Sequence, residues 1–288
     1  MKPFGGLLML NEMLEQLPSS EAKVAQFILQ NPEQFLELTA KELGEKTSTS
    51  APAVVRLCKS IGLKGIQDLK LRITGDIANV HSPTEYRDIV KDEPFNQVVQ
   101  KITMNAHRSI DETASLIVES NIEKSVQYIY QANFIFSFGI GASSLIAEDI
   151  KQKLQRINKN IDISSDLHYA VTELANAKEN DVLIAISNSG ETKEVIDIVR
   201  FAKQRNLKVI SITQYGANTV SQLSDVPLYI SAKFESAYRS GATASRLAQL
   251  FLIDILFMCM LAKNYDESIH YIDITREAIA QFKQIQRK

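Results

Sequence analysis

Phe134-Ile135-Phe136-Ser137-Phe138-Gly139-Ile140-Gly141-Ala142-Ser143-Ser144 is the stretch that decides the fold. A short apolar run ends in a glycine-rich turn, and a helical pattern then opens at Ser143 and continues to Arg156. An apolar run of this length bounded by glycine predicts a strand buried on both faces. The design returns at Val182-Leu183-Ile184-Ala185-Ile186, where Ser187-Asn188-Ser189-Gly190-Glu191 leads into a helix over Thr192–Arg205. Val209-Ile210-Ser211-Ile212 is a third such run, followed by a short helical piece over Val220–Ser224. Val226-Pro227-Leu228-Tyr229-Ile230 is a fourth, in which Pro227 predicts an edge strand or a strand start. Strands alternating with helices predict a parallel sheet with helices on both faces, a three-layer αβα architecture.

Two loops carry the chemistry of this region, and each follows a strand. In open α/β sheets ligands collect at the carboxyl ends of strands. A helix N-terminus presents free N–H groups and partial positive charge, which suit a phosphate. Ser and Thr hydroxyls add donors without bulk, and glycine lets the backbone approach. Neither loop is a dinucleotide fingerprint, because Ser144 stands where a third glycine is required, and neither ends in Gly-Lys-Ser/Thr. The bland alternative is ordinary helix capping by Ser143 and Thr192.

Upstream of Arg72 the periodicity is short and helical. Ser19-Ser20-Glu21 opens a helix with Val24, Phe27 and Ile28 inside; Asn31-Pro32 restarts it; Thr39-Ala40-Lys41-Glu42 has capping-box spacing. Thr39–Lys46 and Ser50–Ile61 form two short helices joined by Thr47-Ser48-Thr49, the order of a helix-turn-helix. On the second helix Val54, Leu57, Cys58 and Ile61 make the inner stripe. Thr49, Ser50, Ala51, Pro52, Val55, Arg56, Lys59 and Lys64 are the residues expected to face the major groove and phosphates of double-stranded operator DNA. Residues 1–55 hold four lysines against seven glutamates, whereas 56–72 hold Arg56, Lys59, Lys64, Lys70 and Arg72 against Asp68 alone. Phosphate attraction needs such a local excess more than a high total. A plain helical bundle with a solvated basic face has the same pattern.

The remaining features bound the class. The 288 residues carry a net charge of −2, with 45% hydrophobic and 23% charged residues, an ordinary globular balance with room for about two domains. Cys58 and Cys259 are far apart and show neither metal-ligand nor disulfide spacing, so a reducing cytoplasm is expected, with no metal and no cofactor. The run Leu250–Leu261 is broken by Asp254 and is shorter than the about 20 residues that span a bilayer, so no membrane partner is expected. A breaker-rich, charged segment over 79–98 marks a linker, and a long helix is expected over Gln97–Val118. The resulting division is 1–78 for DNA binding, 79–124 for a linker and connecting helix, 125–262 for the α/β domain and 263–288 for a helical extension.

Leu17-Pro18-Ser19-Ser20-Glu21 through Asn31-Pro32-Glu33, together with Ala53-Val54-Val55-Arg56-Leu57-Cys58-Lys59-Ser60-Ile61-Gly62-Leu63-Lys64-Gly65, resembles the N-terminal domain of the RpiR/MurR family of regulators. Ser48 is a departure, since the family often has glycine in the turn. Gly139–Ser143 and Ser187–Thr192 resemble the two loops of the sugar isomerase (SIS) domain. That resemblance implies a phosphosugar effector whose phosphate is held by Ser143, Ser187, Ser189 and Thr192, with Gly141, Ser144 and Gly190 completing the cradle. Glu235-Ser236-Ala237-Tyr238-Arg239-Ser240-Gly241-Ala242 resembles the segment that closes the effector site, which implies sugar contacts from Glu235 and Arg239. Within the family the chain looks most like MurR-type repressors, which implies N-acetylmuramic acid 6-phosphate or a related amino-sugar phosphate as effector.

Three readings follow: a phosphosugar-responsive repressor, a sugar-phosphate isomerase with a regulatory helical domain, and a phosphosugar-binding scaffold. Isomerase chemistry needs a base beside the sugar carbon. Glu235, Glu191, Glu148, His168 and His107 are available, but none stands in a catalytic motif, so no catalysis is expected. Glu191 is accounted for by its own helix N-terminus, with lining of the site as the alternative. The helix over 243–261 is apolar nearly all round, which fits a subunit interface of a homodimer or homotetramer reading two half-sites.

Overall fold

The computed structural model describes residues 5–78, 91–164, 166–231 and 243–285. Glu235 and Arg239, and most of the expected linker, lie outside the described residues. The chain divides into two compact units, one up to Leu116 that also takes in Tyr215–Ala217, and one of the other described residues from Ile117 onward.

The first unit is helical: α1 (Gly6–Met13), α2 (Ser19–Gln30), α3 (Pro32–Glu37), α4 (Ala40–Lys46), α5 (Ala51–Ser60), α6 (Ile66–Ala78) and α7 (Phe95–Leu116). Pro32 occupies the first turn of α3 as expected, but the Asn31 amide does not cap it; Asn31 Nδ2 donates back to the Phe27 carbonyl at 3.1 Å. Val24, Ile28, Phe35, Leu43, Val54, Leu57, Cys58 and Ile61 are buried in this unit. Removing each such side chain from water contributes about 1.5–3 kcal/mol.

The second unit contains α8 (Glu119–Gln131), β1 (Ile135–Gly139), α9 (Ala142–Gln155), β2 (Ile161–Ser164) and α10 (Leu167–Ala175). It continues with β3 (Val182–Ile186), α11 (Lys193–Gln204), β4 (Lys208–Gln214), α12 (Thr219–Leu223), β5 (Val226–Ile230), α13 (Ala244–Lys263) and α14 (Tyr265–Ile285). The five strands are parallel in the order β2-β1-β3-β4-β5. Period-two alternation sends Ile135, Ile184, Ile210 and Leu228 to the face covered by α8, α9 and α13. Phe136, Phe138, Leu183 and Val209 go to the face covered by α10 and α11. Both faces are thus apolar, which is why the central strands are near-continuous hydrophobic runs.

Pro227 lies in β5, an edge strand, where its missing N–H removes no ladder bond. The other edge, β2, was not foreseen. Its Ile161-Asp162-Ile163-Ser164 is a four-residue alternating run, half polar and less buried than the central strands. Helix α13 spans 20 residues and is, by length and composition alone, apolar enough to cross a membrane. It agrees with the helix expected over 243–261 and contains the apolar run Leu250–Leu261. Its inner face packs on the sheet through Ala248, Leu252, Ile253, Leu256 and Met260, and Asp254 is paired with Lys153 at 3.0 Å.

Candidate functional site

The strand order places β1 next to both β2 and β3, so the chain's winding reverses between β1 and β3. At such a switch point the helices following the two strands leave on opposite faces and open a crevice at the carboxyl edge, where ligands bind. The loops after β1 and β3 flank this crevice.

The first loop is shaped by two glycines. A Cβ at Gly139 would lie 2.8 Å from the Ser143 carbonyl oxygen, so only glycine lets the first turn of α9 close on the strand. Gly141, the N-cap of α9, has φ +62 and ψ −123, a region open to glycine and strained for other residues. Ser143 is buried in the first turn of α9, and its Oγ has no hydrogen-bond partner among the described residues. Ser144 Oγ donates to the Gly141 carbonyl at 2.7 Å.

The second loop is tighter. Ser187 Oγ and Thr192 Oγ1 are 3.0 Å apart, and Gly190 N–H donates to Ser187 Oγ at 3.1 Å. Glu191 N–H donates to Ser189 Oγ at 3.2 Å. Gly190 has φ +67, and a Cβ there would meet Asn218 Oδ1 at 2.0 Å. Asn218 caps α12 by accepting the Ser221 N–H at 2.9 Å and ties back through Nδ2 to Thr213 Oγ1 at 3.1 Å. Asn218 was not foreseen; its position just before Thr219-Val220 was the available capping signal.

Neither Ser143 nor Thr192 caps its helix. Helix α9 has Gly141 as N-cap, and Thr192, the N-cap of α11, makes no side-chain capping bond. The hydroxyls and first-turn N–H groups at the crevice are therefore not consumed by capping, which favours the anion-binding account over the capping one. Glu191 also differs from expectation. Its carboxylate accepts the Thr219 N–H at 2.7 Å and the Thr219 Oγ1–H at 2.8 Å, serving α12 rather than its own helix. It acts as a strut holding the loop to α12. Glu148 and His168 are exposed on α9 and α10, and His107 is exposed on α7 in the first unit.

In the first unit the capping box is complete: Glu42 N–H donates to Thr39 Oγ1 at 3.3 Å and Thr39 N–H donates to Glu42 Oε2 at 2.7 Å. That backbone bond holds the Glu42 carboxyl below the usual carboxylate range. Ser48 takes the left-handed conformation at φ +52, making the turn that glycine often makes in the family. Gly44 lets the two helices meet: a Cβ would lie 2.9 Å from the Ser50 carbonyl carbon. Ser50, Pro52, Val55, Arg56, Lys59 and Lys64 are exposed, while Thr49 and Ala51 are half-buried.

The basic run is less free than its sequence implies. Arg56 Nε lies 3.6 Å from Glu21, whose buried carboxylate also accepts Ser60 Oγ–H at 2.7 Å. Lys70 donates to the Leu36 carbonyl at 2.8 Å, and Arg72 pairs with Asp68 at 3.4 Å. Lys59 and Lys64 make no ion pair among the described residues, which leaves them the free cations beside α5.

Comparison with known proteins agrees with both halves. Residues 4–80 match the helix-turn-helix domain of the rpiR family, and residues 128–259 match the SIS domain. The chain is 42% identical over 281 residues to an uncharacterized HTH-type transcriptional regulator, YbbH of Bacillus subtilis, covering 97% of this chain and 98% of that one. It is 29% identical over 252 residues to the HTH-type transcriptional regulator HexR of Escherichia coli, covering 86% of this chain and 84% of HexR. Among solved structures, NanR of Vibrio vulnificus complexed with ManNAc-6P superposes with a TM-score of 0.61 at 28% identity, covering 96% of this chain and 99% of that one. The chain therefore belongs to the RpiR family of helix-turn-helix transcriptional regulators, proteins that join a DNA reader to a SIS domain and are regulators, not enzymes.

Proposed function

We propose that this regulator is a cytoplasmic repressor of amino-sugar or carbohydrate catabolism genes, controlled by a sugar phosphate at the β1/β3 switch point. Residues 1–78 read DNA, 79–124 connect, 125–262 hold the effector and 263–288 extend the fold. The observation that carries this reading is the pair of helix N-termini, α9 and α11, left without side-chain caps beside clustered serine and threonine hydroxyls. Ser143, Ser144, Ser187, Ser189 and Thr192 hold the phosphate, with Gly141 and Gly190 admitting it. The ligand of NanR, an amino-sugar phosphate, supports that ligand class, and N-acetylmuramic acid 6-phosphate is the first member to test. The working form is a homodimer or homotetramer reading a near-palindromic operator through Thr49–Pro52, Val55, Arg56, Lys59 and Lys64. A ligand that binds one arrangement of the dimer more tightly shifts the DNA-competent population.

The test is a thermal-shift panel of hexosamine 6-phosphates followed by gel shifts on DNA upstream of the chain's own operon. A bound sugar phosphate raises the unfolding midpoint and changes operator occupancy. Ser189→Ala weakens the ligand response and leaves operator affinity intact. Absence of operator binding at low salt sinks the DNA half; absence of a midpoint shift with every sugar phosphate sinks the effector half.

A further inference from the structure

The crevice loops supply hydroxyls and amides to an anion but no cation. A cation, Arg246, stands in the first turn of α13. Helix α13 runs in the same direction as α9. Its far end lies at the amino edge of the sheet, where Tyr130 Oη, close before β1, donates to the Met260 carbonyl at 3.0 Å. Midway, Asp254 pairs with Lys153 of α9. Ala142, which opens α9, lies eleven residues before Lys153, and Ala244, which opens α13, lies ten before Asp254. The first turn of α13 is thus level with the first turn of α9, at the carboxyl edge.

Three polar residues cluster there. Ser245 is 2% exposed and Gln249 is 3% exposed, yet Gln249 Nε2 has no hydrogen-bond partner among the described residues. Arg246 Nε is likewise buried without a partner, and its guanidinium makes no ion pair among the described residues. Gln249 stands at i+3 from Arg246 and i+4 from Ser245, so the three share one face. Long helical side chains lean back toward the N-terminus, which aims Gln249 toward Arg246 and the crevice edge. Two buried nitrogen donors left without acceptors, one of them on a partly buried guanidinium, call for an explanation, and their simplest completion is an anionic acceptor.

We propose that Arg246, positioned by Gln249 and flanked by Ser245, binds an anionic group of the effector. This rests on the sugar-phosphate reading above. The group is either the phosphate or a carboxylate substituent on the sugar, and both present the planar or forked oxygens that a guanidinium recognises.

The test is titration calorimetry of the full chain with N-acetylglucosamine 6-phosphate and N-acetylmuramic acid 6-phosphate. Arg246→Gln weakens binding at least about tenfold, the scale of one lost charge-assisted contact. An equal loss for both sugars assigns Arg246 to the phosphate; a loss confined to the muramic sugar assigns it to the carboxylate. Gln249→Glu gives the unliganded protein an internal anion for Arg246, so it raises the unfolding midpoint while weakening binding. A merely structural role moves the midpoint and leaves the affinity alone. Should Arg246→Gln fold poorly, Gln249→Glu carries the test with the arginine retained. Wild-type affinity in both variants, with Ser189→Ala still impaired, overturns this proposal and spares the phosphate-loop reading. Binding of neither sugar by wild type overturns both.

Discussion

Ser48 and Gly190 both turn the chain in the left-handed region, and they do so for different reasons. In the helix-turn-helix, Ser48 sits exposed at φ +52; in the crevice loop, Gly190 sits buried at φ +67. This region disfavours any residue with a Cβ, so Ser48 bears that cost and Gly190 does not. Only Gly190 faces a steric wall, since a Cβ would lie 2.0 Å from Asn218 Oδ1. A surface turn can therefore use serine at a modest conformational cost, whereas the crevice loop has no such latitude. The comparison separates a glycine chosen for its dihedral freedom from one required by its neighbour.

The sharpest way to break this distinction is Gly190→Ala. Left-handed strain and overpacking together predict a loss of about 2–5 kcal/mol, measurable by urea unfolding, with loss of the sugar-phosphate response. A variant as stable as wild type would show that Asn218 moves aside freely. Gly44→Ala tests a steric glycine in the other unit. Alanine's better helix propensity offsets part of the clash with Ser50 and Ala51, leaving a net loss of about 1–2 kcal/mol and weakened operator binding.

Ser48→Gly is predicted to go the other way, stabilising by about 0.5–1 kcal/mol, because it relieves left-handed strain without adding contacts. Equal stability of the two proteins would mean that the hydrogen bonds around Thr47 and Thr49 already compensate the serine.

Smaller still is the pH response of the cap preceding that turn. The Glu42 carboxyl is held below its usual 4.5 by the Thr39 N–H. A depressed folded value means that the cap's contribution is present above the unfolded value and fades as pH falls through the folded one. Glu42→Gln therefore separates from wild type in unfolding midpoint at pH 7 and converges with it in acid. The last contrast is chemical. Burial pushes the Cys58 thiol up to about 11, whereas Cys259 is exposed. In the native protein a thiol reagent labels Cys259 first, and Cys58 reacts only on unfolding.

Legibility in the sequence followed the strength of local signals. The inner stripe Val54, Leu57, Cys58 and Ile61 and the runs at β1, β3 and β4 were read directly, because burial imposes a period that residue type records. The capping box was legible for the same reason, being contained within four residues. Edge strand β2 escaped because a short alternating run is weak against helical neighbours. Glu21, Asn218 and Gly44 escaped because their partners lie far along the chain or across a turn. The basic run 56–72 was legible as charge but not as free charge, since Arg56, Lys70 and Arg72 have partners that the sequence does not pair.

The sequence by itself determined the class of each region: helical and helix-turn-helix before Arg72, parallel α/β after Asn133, with hydroxyl-rich loops after two strands. These are properties of periodicity and turn chemistry, which act over a few residues. Only the tertiary structure decided the strand order, and with it the winding reversal between β1 and β3 that sets the two loops on one crevice. It alone separated hydroxyls spent on capping from those left open, and reassigned Glu191 from its own helix to α12. It alone revealed Arg246 Nε and Gln249 Nε2 as buried donors without hydrogen-bond partners among the described residues. The physical reason is that pairing and desolvation belong to groups brought together from distant parts of the chain, and local composition records neither.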